Sequence, residues 1–431
     1  MADTYTTFAT MANDAPNVFI ARKMIELLDR MLVLDKCSEP FALENGNSKT
    51  LRVVRVSRVA LPNTPLIEGV TPSTDSLVLE NVNVTVEQWG LVVALTDVLE
   101  LTVTHPMVSL AIERVAMAMK ETSEREDAEV LMGATNVSFP GVVTTRSGLA
   151  ATDVFNTALA ITMNAKLEMR GAHKYMNNGG YYMGFFQPPH KAAVLASDTT
   201  FQNASNFAQQ ERLMYGRVGM WMGVEWIMGN FLPVYVGVAA ATTAAATATK
   251  AQYTVGLSGT LATANYQLKV VAREVTTDYE RRISVQTGNI AVTSPGSIAV
   301  VMPSSVNYVY DVYLTQAGGT VAYLVASRQA AGSTYTITTA PAGTEAVAPE
   351  APALGINVYT GFVVGKGAFG TCALNGMSLQ TFTTPKGASD SDPLAQRRKV
   401  GAKYMRKSFI LDNNYIERFE TSSAFAAAIP A

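Results

Sequence analysis

Three histidines, two cysteines and one glycine-rich turn hold most of the reactive chemistry in this chain of 431 residues. The stretch GKGAFG sets Gly365, Gly367 and Gly370 at the G-x-G-x-x-G spacing that lets backbone approach a pyrophosphate. A dinucleotide site also needs a helix opening on those glycines and an acid about 20 residues further on. Here TCALNGMSLQTF follows, with Gly376 inside it, so the stretch is expected as a turn between strands. His105, His173 and His190 show no metal-ligand spacing and read as cap or loop residues. Cys37 and Cys372 are too few for a disulfide framework, and no nucleophile signature surrounds Cys37, so two buried, reduced thiols are expected. The acids of KETSEREDAE are interleaved with Lys120 and Arg125 and read as a solvated helix face, not paired catalytic carboxylates. QRRKVGAKYMRK (396–407) holds six basic residues and no acid, with Tyr404 its one aromatic. It reads as a subunit-contact or solvent-facing strand in preference to a genome-facing patch. No catalytic, cofactor-binding or metal site is expected, and the chain does not read as an enzyme.

Composition narrows the class. Hydrophobic residues make up 48% of the chain and charged ones only 16%, against roughly 25% charged in a typical soluble domain. So few charges imply surface buried against partners. A formal charge of -2 gives no sign of a nucleic-acid or anionic-membrane binder. The length predicts two or three domains. MADTYTTFATMANDAPN is not the start of a signal peptide, and LVVALTDVLELTV is broken by Asp97 and Glu100, so no membrane span is expected. The chain is expected to be made, and to assemble, in a cytoplasm.

Along the chain, residues 1–16 read as a loose arm, and 17–36 as an amphipathic helix with Ile20, Met24, Leu27, Leu28, Met31 and Leu32 on one face. LRVVRVSRVAL (51–61) and LVLENVNVTVEQW (77–89) flank the polar tip TPLIEGVTPSTD and form a two-stranded ribbon. Arg52, Arg55 and Arg58 recur as on a helix, but the valines from 53 to 59 and Pro62 favour strand. Val82, Val84 and Val86 alternate with Asn81, Asn83 and Thr85, a clear strand. Residues 91–103 are expected to continue as buried strand. Pro106 opens a long spine helix, 106–132, whose second half is expected to be wet. A further helix spans 151–170, capped by Thr152 or Asp153. Strand, Pro188-Pro189 turn and short helix fill 181–196; a helix and a Trp221/Trp226 strand fill 207–229. The Ala/Thr run 239–250 and the Pro/Ala/Glu run 339–353 read as linkers around 251–338, where short β patterns recur as in a β-sandwich. Tyr308, Tyr310, Tyr313 and Tyr323 are expected in or near its core. After 354, apolar strands resume and the chain closes with strands on either side of Asp412-Asn413-Asn414.

Charge on the ribbon is segregated. Lys49, Arg52, Arg55 and Arg58 lie on the first strand, and Glu68, Asp75, Glu80 and Glu87 on the tip and return strand. Cross-ribbon pairs contribute only ~0.2–1 kcal/mol each when exposed. The valine rows still need cover, and a lone two-stranded hairpin is marginal in water. These eight charged residues are therefore expected at an inter-subunit contact.

The order of parts resembles the major capsid protein of tailed phages with the Hong Kong 97 fold, in its podophage branch. The likeness rests on LLDRMLVLDKCSEPFALENGNSKTLRVVRV, TPLIEGVTPSTDSLVLENVNVTVEQWGLVVALTDVLE, ERLMYGRVGMWMGVEWIMG, GFVVGKGAFG and DPLAQRRKVGAKYMRKSFIL, in that order, over about 1–236 and 354–431. It implies an α+β chain: an N-terminal arm and helix (1–35), an extended loop (36–86), and a peripheral domain (87–150) with the spine helix. The first part of an axial domain would follow in 151–238, and 354–431 would supply the C-terminal part of the axial and peripheral domains. Between them 239–353, with its core at 251–338, departs from the family as an inserted all-β sandwich that resembles an immunoglobulin or fibronectin type III module. The implied function is self-assembly into hexamers and pentamers of an icosahedral head enclosing double-stranded DNA. Scaffolding, portal and decoration proteins are the further partners it implies, with no cofactor and no membrane. An encapsulin-like nanocompartment shell is the alternative of the same fold.

Overall fold

In a computed structural model, the chain is described from 33 to 423, apart from 45, 47, 57–58, 60, 62–64, 66–67, 70–75, 104–106, 176–179, 200–218, 230–231, 238–252, 276–277, 285, 354, 376–378, 385–393 and 395. The expected arm, most of the first helix, the helix before Gly216 and the 239–250 linker lie outside the described residues.

β1 (Glu39–Leu43) precedes the ribbon, formed by β2 (Thr50–Val56) and β3 (Leu79–Thr85). β4 (Glu87–Thr96) then gives way to a short helix, α1 (Asp97–Thr102), so 91–103 is not one continuous strand. The cause is local: Thr96 Oγ1 accepts the Leu99 amide at 3.4 Å, an N-cap in the middle of an apolar run. α2 (Met107–Met132) is the spine helix, 26 residues and therefore about 39 Å long. β5 (Val137–Ser138) leads to α3 (Thr157–Met169). Asn156 caps α3 by accepting the Leu159 amide at 3.0 Å, so the helix starts later than Thr152 or Asp153 would place it. β6 (Tyr182–Phe186) enters α4 (Pro188–Ser197), whose first turn takes both prolines, where no amide is needed. β7 (Met220–Trp221) and β8 (Val224–Met228) make a tight hairpin, and β9 (Val234–Tyr235) follows.

The β-rich block holds β10 (Tyr253–Leu261), β11 (Ala264–Tyr266), β12 (Leu268–Glu274), β13 (Glu280–Ile283) and β14 (Ile290–Val292). It continues with β15 (Gly296–Val301), β16 (Tyr308–Thr315), β17 (Ala322–Gln329) and β18 (Thr334–Ile337). The last strands are β19 (Val358–Val364), β20 (Phe369–Leu374), β21 (Gln380–Thr383), β22 (Arg397–Ile410) and β23 (Ile416–Thr421).

The chain divides into two compact units. The first contains Ser38–Val130 and Gly367–Asp412. Its sheet runs β1-β20-β22-β21, with β4 also pairing β22. Leu95 and Leu99 pack with Val115 and Met119 of α2 and with Val400, Ala402 and Tyr404 of β22. The ribbon β2-β3 is a separate two-stranded sheet.

The second unit contains, among the described residues, 33–37, Leu131–Lys366 and the chain from Asn413 onward. Its eleven-stranded sheet includes the path β17-β16-β12-β13-β9-β19-β6-β8-β7, with β23 on β19 and β5 on β23. Phe155 anchors an aromatic core, with ring centroids 5.0 Å from Phe419 and 5.1 Å from Trp226. In the β-rich block, Ile298, Val300 and Ile337 of the β10-β15-β18 sheet share one core with Val270, Tyr310 and Val312 of the larger sheet. Tyr310 and Tyr313 are buried. Residues 339–353, expected as a linker, are instead held to β17: the Leu324 amide donates to Ala346 O and the Ala348 amide to Ala322 O, both at 2.8 Å.

Candidate subunit-contact site

Register decides what each face of the ribbon does. β2 and β3 pair Thr50 with Thr85 through to Val56 with Leu79, and directly paired residues share a face. One face carries Leu51/Val84, Val53/Val82 and Arg55/Glu80. It packs at its root on the chain's own sheet, where Val84 and Val86 are buried against Leu43, Cys372 and Phe409. Arg55 closes that strip, with Nη1 3.0 Å from Asp412 Oδ2 and Nη2 2.5 Å from Glu80 Oε2. The opposite face carries Thr50/Thr85, Arg52/Asn83, Val54/Asn81 and Val56/Leu79. Arg52 Nε donates to Asn83 Oδ1 at 3.1 Å. Val54, Val56 and Leu79 are 52%, 56% and 59% exposed, and Leu77 and Val78, just before β3, are exposed as well. Water-facing apolar side chains gathered on one arm are what an interaction surface presents.

The expected contact residues divide accordingly. Arg55 and Glu80 come together and face the chain's own body, while Arg52 lies on the outward face. Glu87 receives Lys407 Nζ at 3.0 Å. Lys49 is exposed at the ribbon root, where its carbonyl accepts the Val86 amide at 3.1 Å. Glu68 is exposed in a turn beside Gly69. Arg58 and Asp75 lie outside the described residues.

The platform under the ribbon root is β22, and here the sequence reading needs correction. Arg398, Val400, Ala402, Tyr404, Arg406 and Ser408 alternate with residues on the other face. Arg398 Nη1 donates to Glu100 Oε1 at 3.2 Å. Arg406 Nη2 donates to both Asp127 oxygens at 2.7 Å, and Ser408 Oγ also donates to Asp127. Asp127 is 0% exposed and Glu124 1%, so the charged half of α2 is not the wet face expected. Burial pushes the Glu126 carboxyl above its ordinary value, against the lowering effect of the Ser408 amide and Lys407. Burial likewise pushes the Tyr404 phenol up. The basic run at 396–407 is therefore a central strand in which Arg398, Arg406 and Lys407 are answered by acids of the same chain, while Lys399 is exposed. Nothing local announces this, since Asp127 and Arg406 are 279 residues apart.

The residues set aside for catalysis sit in structural positions. GKGAFG is the turn between β19 and β20, with strand rather than helix after Gly367. His190 is buried; its Nδ1 accepts the Gln187 amide at 3.1 Å, and burial pushes its pKa down to about 3. The His173 ring stands edge-on to Tyr415 at 5.4 Å, and His105 lies outside the described residues. Cys37 and Cys372 are free and buried. Among the described residues no three His, Cys, Asp or Glu side chains gather as metal ligands, and no helix is long and apolar enough to cross a membrane.

No protein-family model matches the chain, and no curated protein matches it. Solved structures do. The capsid of Ralstonia phage GP4 is similar over 98% of this chain and 98% of that one, at 8% identity and a TM-score of 0.54. The capsid structure of the Cyanophage P-SCSP1u is similar over 94% of this chain and 93% of that one, at 12% identity and a TM-score of 0.53. At such identity the likeness is one of architecture, extending over nearly the whole of both chains: this protein has the fold of phage capsid proteins.

Proposed function

We propose that the chain is a major capsid protein that self-assembles, as hexamers and pentamers, into an icosahedral phage head enclosing double-stranded DNA. One observation carries this reading: on a chain with a phage-capsid fold, the apolar side chains Val54, Val56 and Leu79 on the ribbon's outward face are exposed. Identical copies are the economical cover. A ribbon lying on a different surface of the next copy makes a heterologous contact, which closes into rings and shells when the rotation closes. Arg52 and Lys49, with Arg58, Glu68 and Asp75, would set register there, since charge complementarity serves specificity more than affinity. Arg55, Glu80 and Glu87 serve first to hold the ribbon on its own body.

The role is structural, not enzymatic. The β-sandwich is read as an external element that stabilises the shell or binds a host surface. Scaffolding, portal and decoration proteins, and packaged DNA through non-specific contacts, complete the partners, with assembly in the host cytoplasm. The test is electron microscopy and sedimentation of the purified full-length protein. Shells or six- and five-membered rings are expected. A stable monomer at every concentration, with or without co-expressed scaffold, would refute the reading.

A further inference from the structure

The β-sandwich is joined to the rest of its unit by more than the two chain crossings an insertion requires. β9 is shared: it runs antiparallel to β19, pairing Tyr235 with Val358, and parallel to β13, pairing Val234 with Glu280. Through it the Val234 and Val236 amides donate to Tyr279 O and Arg281 O at 2.8 and 3.0 Å. The two crossings are also bonded to each other. Gly355 N–H donates to Gly237 O at 3.1 Å, and Gly237 N–H to Asn357 Oδ1 at 3.3 Å. A Cβ on Gly237 would stand within 2.5 Å of the Ile356 nitrogen, so only glycine allows this approach.

Arg146 closes the joint from the other side. Its guanidinium is 5% exposed and forks onto Glu420 of β23, through Nε at 2.7 Å and Nη2 at 2.5 Å. Nη1 reaches Glu350 O at 2.6 Å, in the segment that leaves the sandwich, and the plane lies 3.6 Å over the Tyr235 ring of β9. The Arg146 amide donates to Glu350 Oε2 at 3.1 Å, and Ser147 Oγ to Oε1 at 2.5 Å. Lys269 of β12 adds Nζ to Pro349 O at 2.7 Å, and Tyr279 donates its hydroxyl to the buried Gln187 at 3.0 Å. One arginine thus contacts β23, β9 and the exit segment together. A bidentate, stacked, water-excluded arginine is the strongest form such a pair takes.

We infer that Arg146, Glu350 and the β9–β13 pairing form a fixed joint, so that the sandwich keeps one orientation and opens only together with the β6–β19 core. Hydrogen exchange on the full-length protein tests it, with Glu350→Gln and Gly237→Ala as variants. In the parent, the Val234, Val236 and Ala348 amides should exchange as slowly as those of the β6–β19 pair. Either variant should speed those three by tenfold or more while β6–β19 stays slow. Glu350→Gln lies in the exit segment, outside the aromatic core, and keeps the test open should Gly237→Ala not fold. Parent amides at 234 and 236 exchanging tenfold faster than β6–β19, or a Glu350→Gln profile identical to the parent's, would overturn the inference.

Discussion

Replacing Val54, Val56 and Leu79 together by serine separates the ribbon's two faces. All three lie on the outward face, away from the Leu51/Val84 strip that packs on the chain's own sheet. Fully burying a Val or Leu side chain stabilises by roughly 1.5–3 kcal/mol. These three retain 52%, 56% and 59% of their exposure. Covering the remainder is therefore worth about 1 kcal/mol each, or about 3 kcal/mol per contact. That is about a hundredfold in the association constant of each contact. The folded chain alone should hardly notice, since exposed substitutions away from special features stay within about 0.5 kcal/mol. Circular dichroism and the thermal midpoint should match the parent, while light scattering shows the threshold for assembly raised by about two orders of magnitude. Parental assembly at parental concentration would remove this face from the contact. Collapse of the isolated chain's midpoint would mean the face is covered by its own body.

Other consequences are more local. Asp127→Asn should cost about 3–5 kcal/mol, because it leaves a largely buried guanidinium without its carboxylate. Asp127→Asn with Arg406→Met should recover much of that, and strict additivity in denaturant melts would argue against the pairing. His190 is held below its ordinary value of 6.5, at about 3, by burial, so it is neutral when folded. The stability tied to that neutral ring is whole above pH 6.5 and lost progressively as pH falls toward 3, where His190 must charge on unfolding. His190→Gln should flatten the pH dependence of the urea midpoint across that window; an unchanged slope counts against it. Gly361→Ala would put a Cβ 2.7 Å from Phe185 O and closer still to the buried Phe419 ring. A loss of at least about 1–3 kcal/mol is expected for such overpacking, and a parental melting point would show that the strands part readily.

How much could be read in advance depended on how local the cause was. β3 was legible because Val82, Val84 and Val86 alternate with polar residues over consecutive positions. The Arg52/Arg55 spacing misleads in one respect. On a strand, residues three apart point to opposite faces, so two arginines that look like one stripe have separate tasks. The Thr96 cap is hidden because its one hydroxyl stands in an apolar run that reads as strand, and the Asn156 cap because Thr152 and Asp153 offer the same chemistry a few residues earlier. What could not be read at all was long-range. Glu124 and Asp127 look wet on a helical wheel, and only the arrival of β22 buries Asp127 beside Arg406. The exit segment 339–353 has linker composition, yet Glu350 finds Arg146 across 204 residues. β22 and β23 follow one another closely in the chain but belong to different sheets, a separation set by their neighbours and not by the Asp412-Asn413-Asn414 turn between them.

The ribbon's root is clamped by apolar packing beneath it and by Arg55 reaching Asp412. A lever fixed at its base pivots further along its length. If copies of this chain meet in rings of more than one size, a base clamped in this way would be the part of the ribbon that stays the same in every copy.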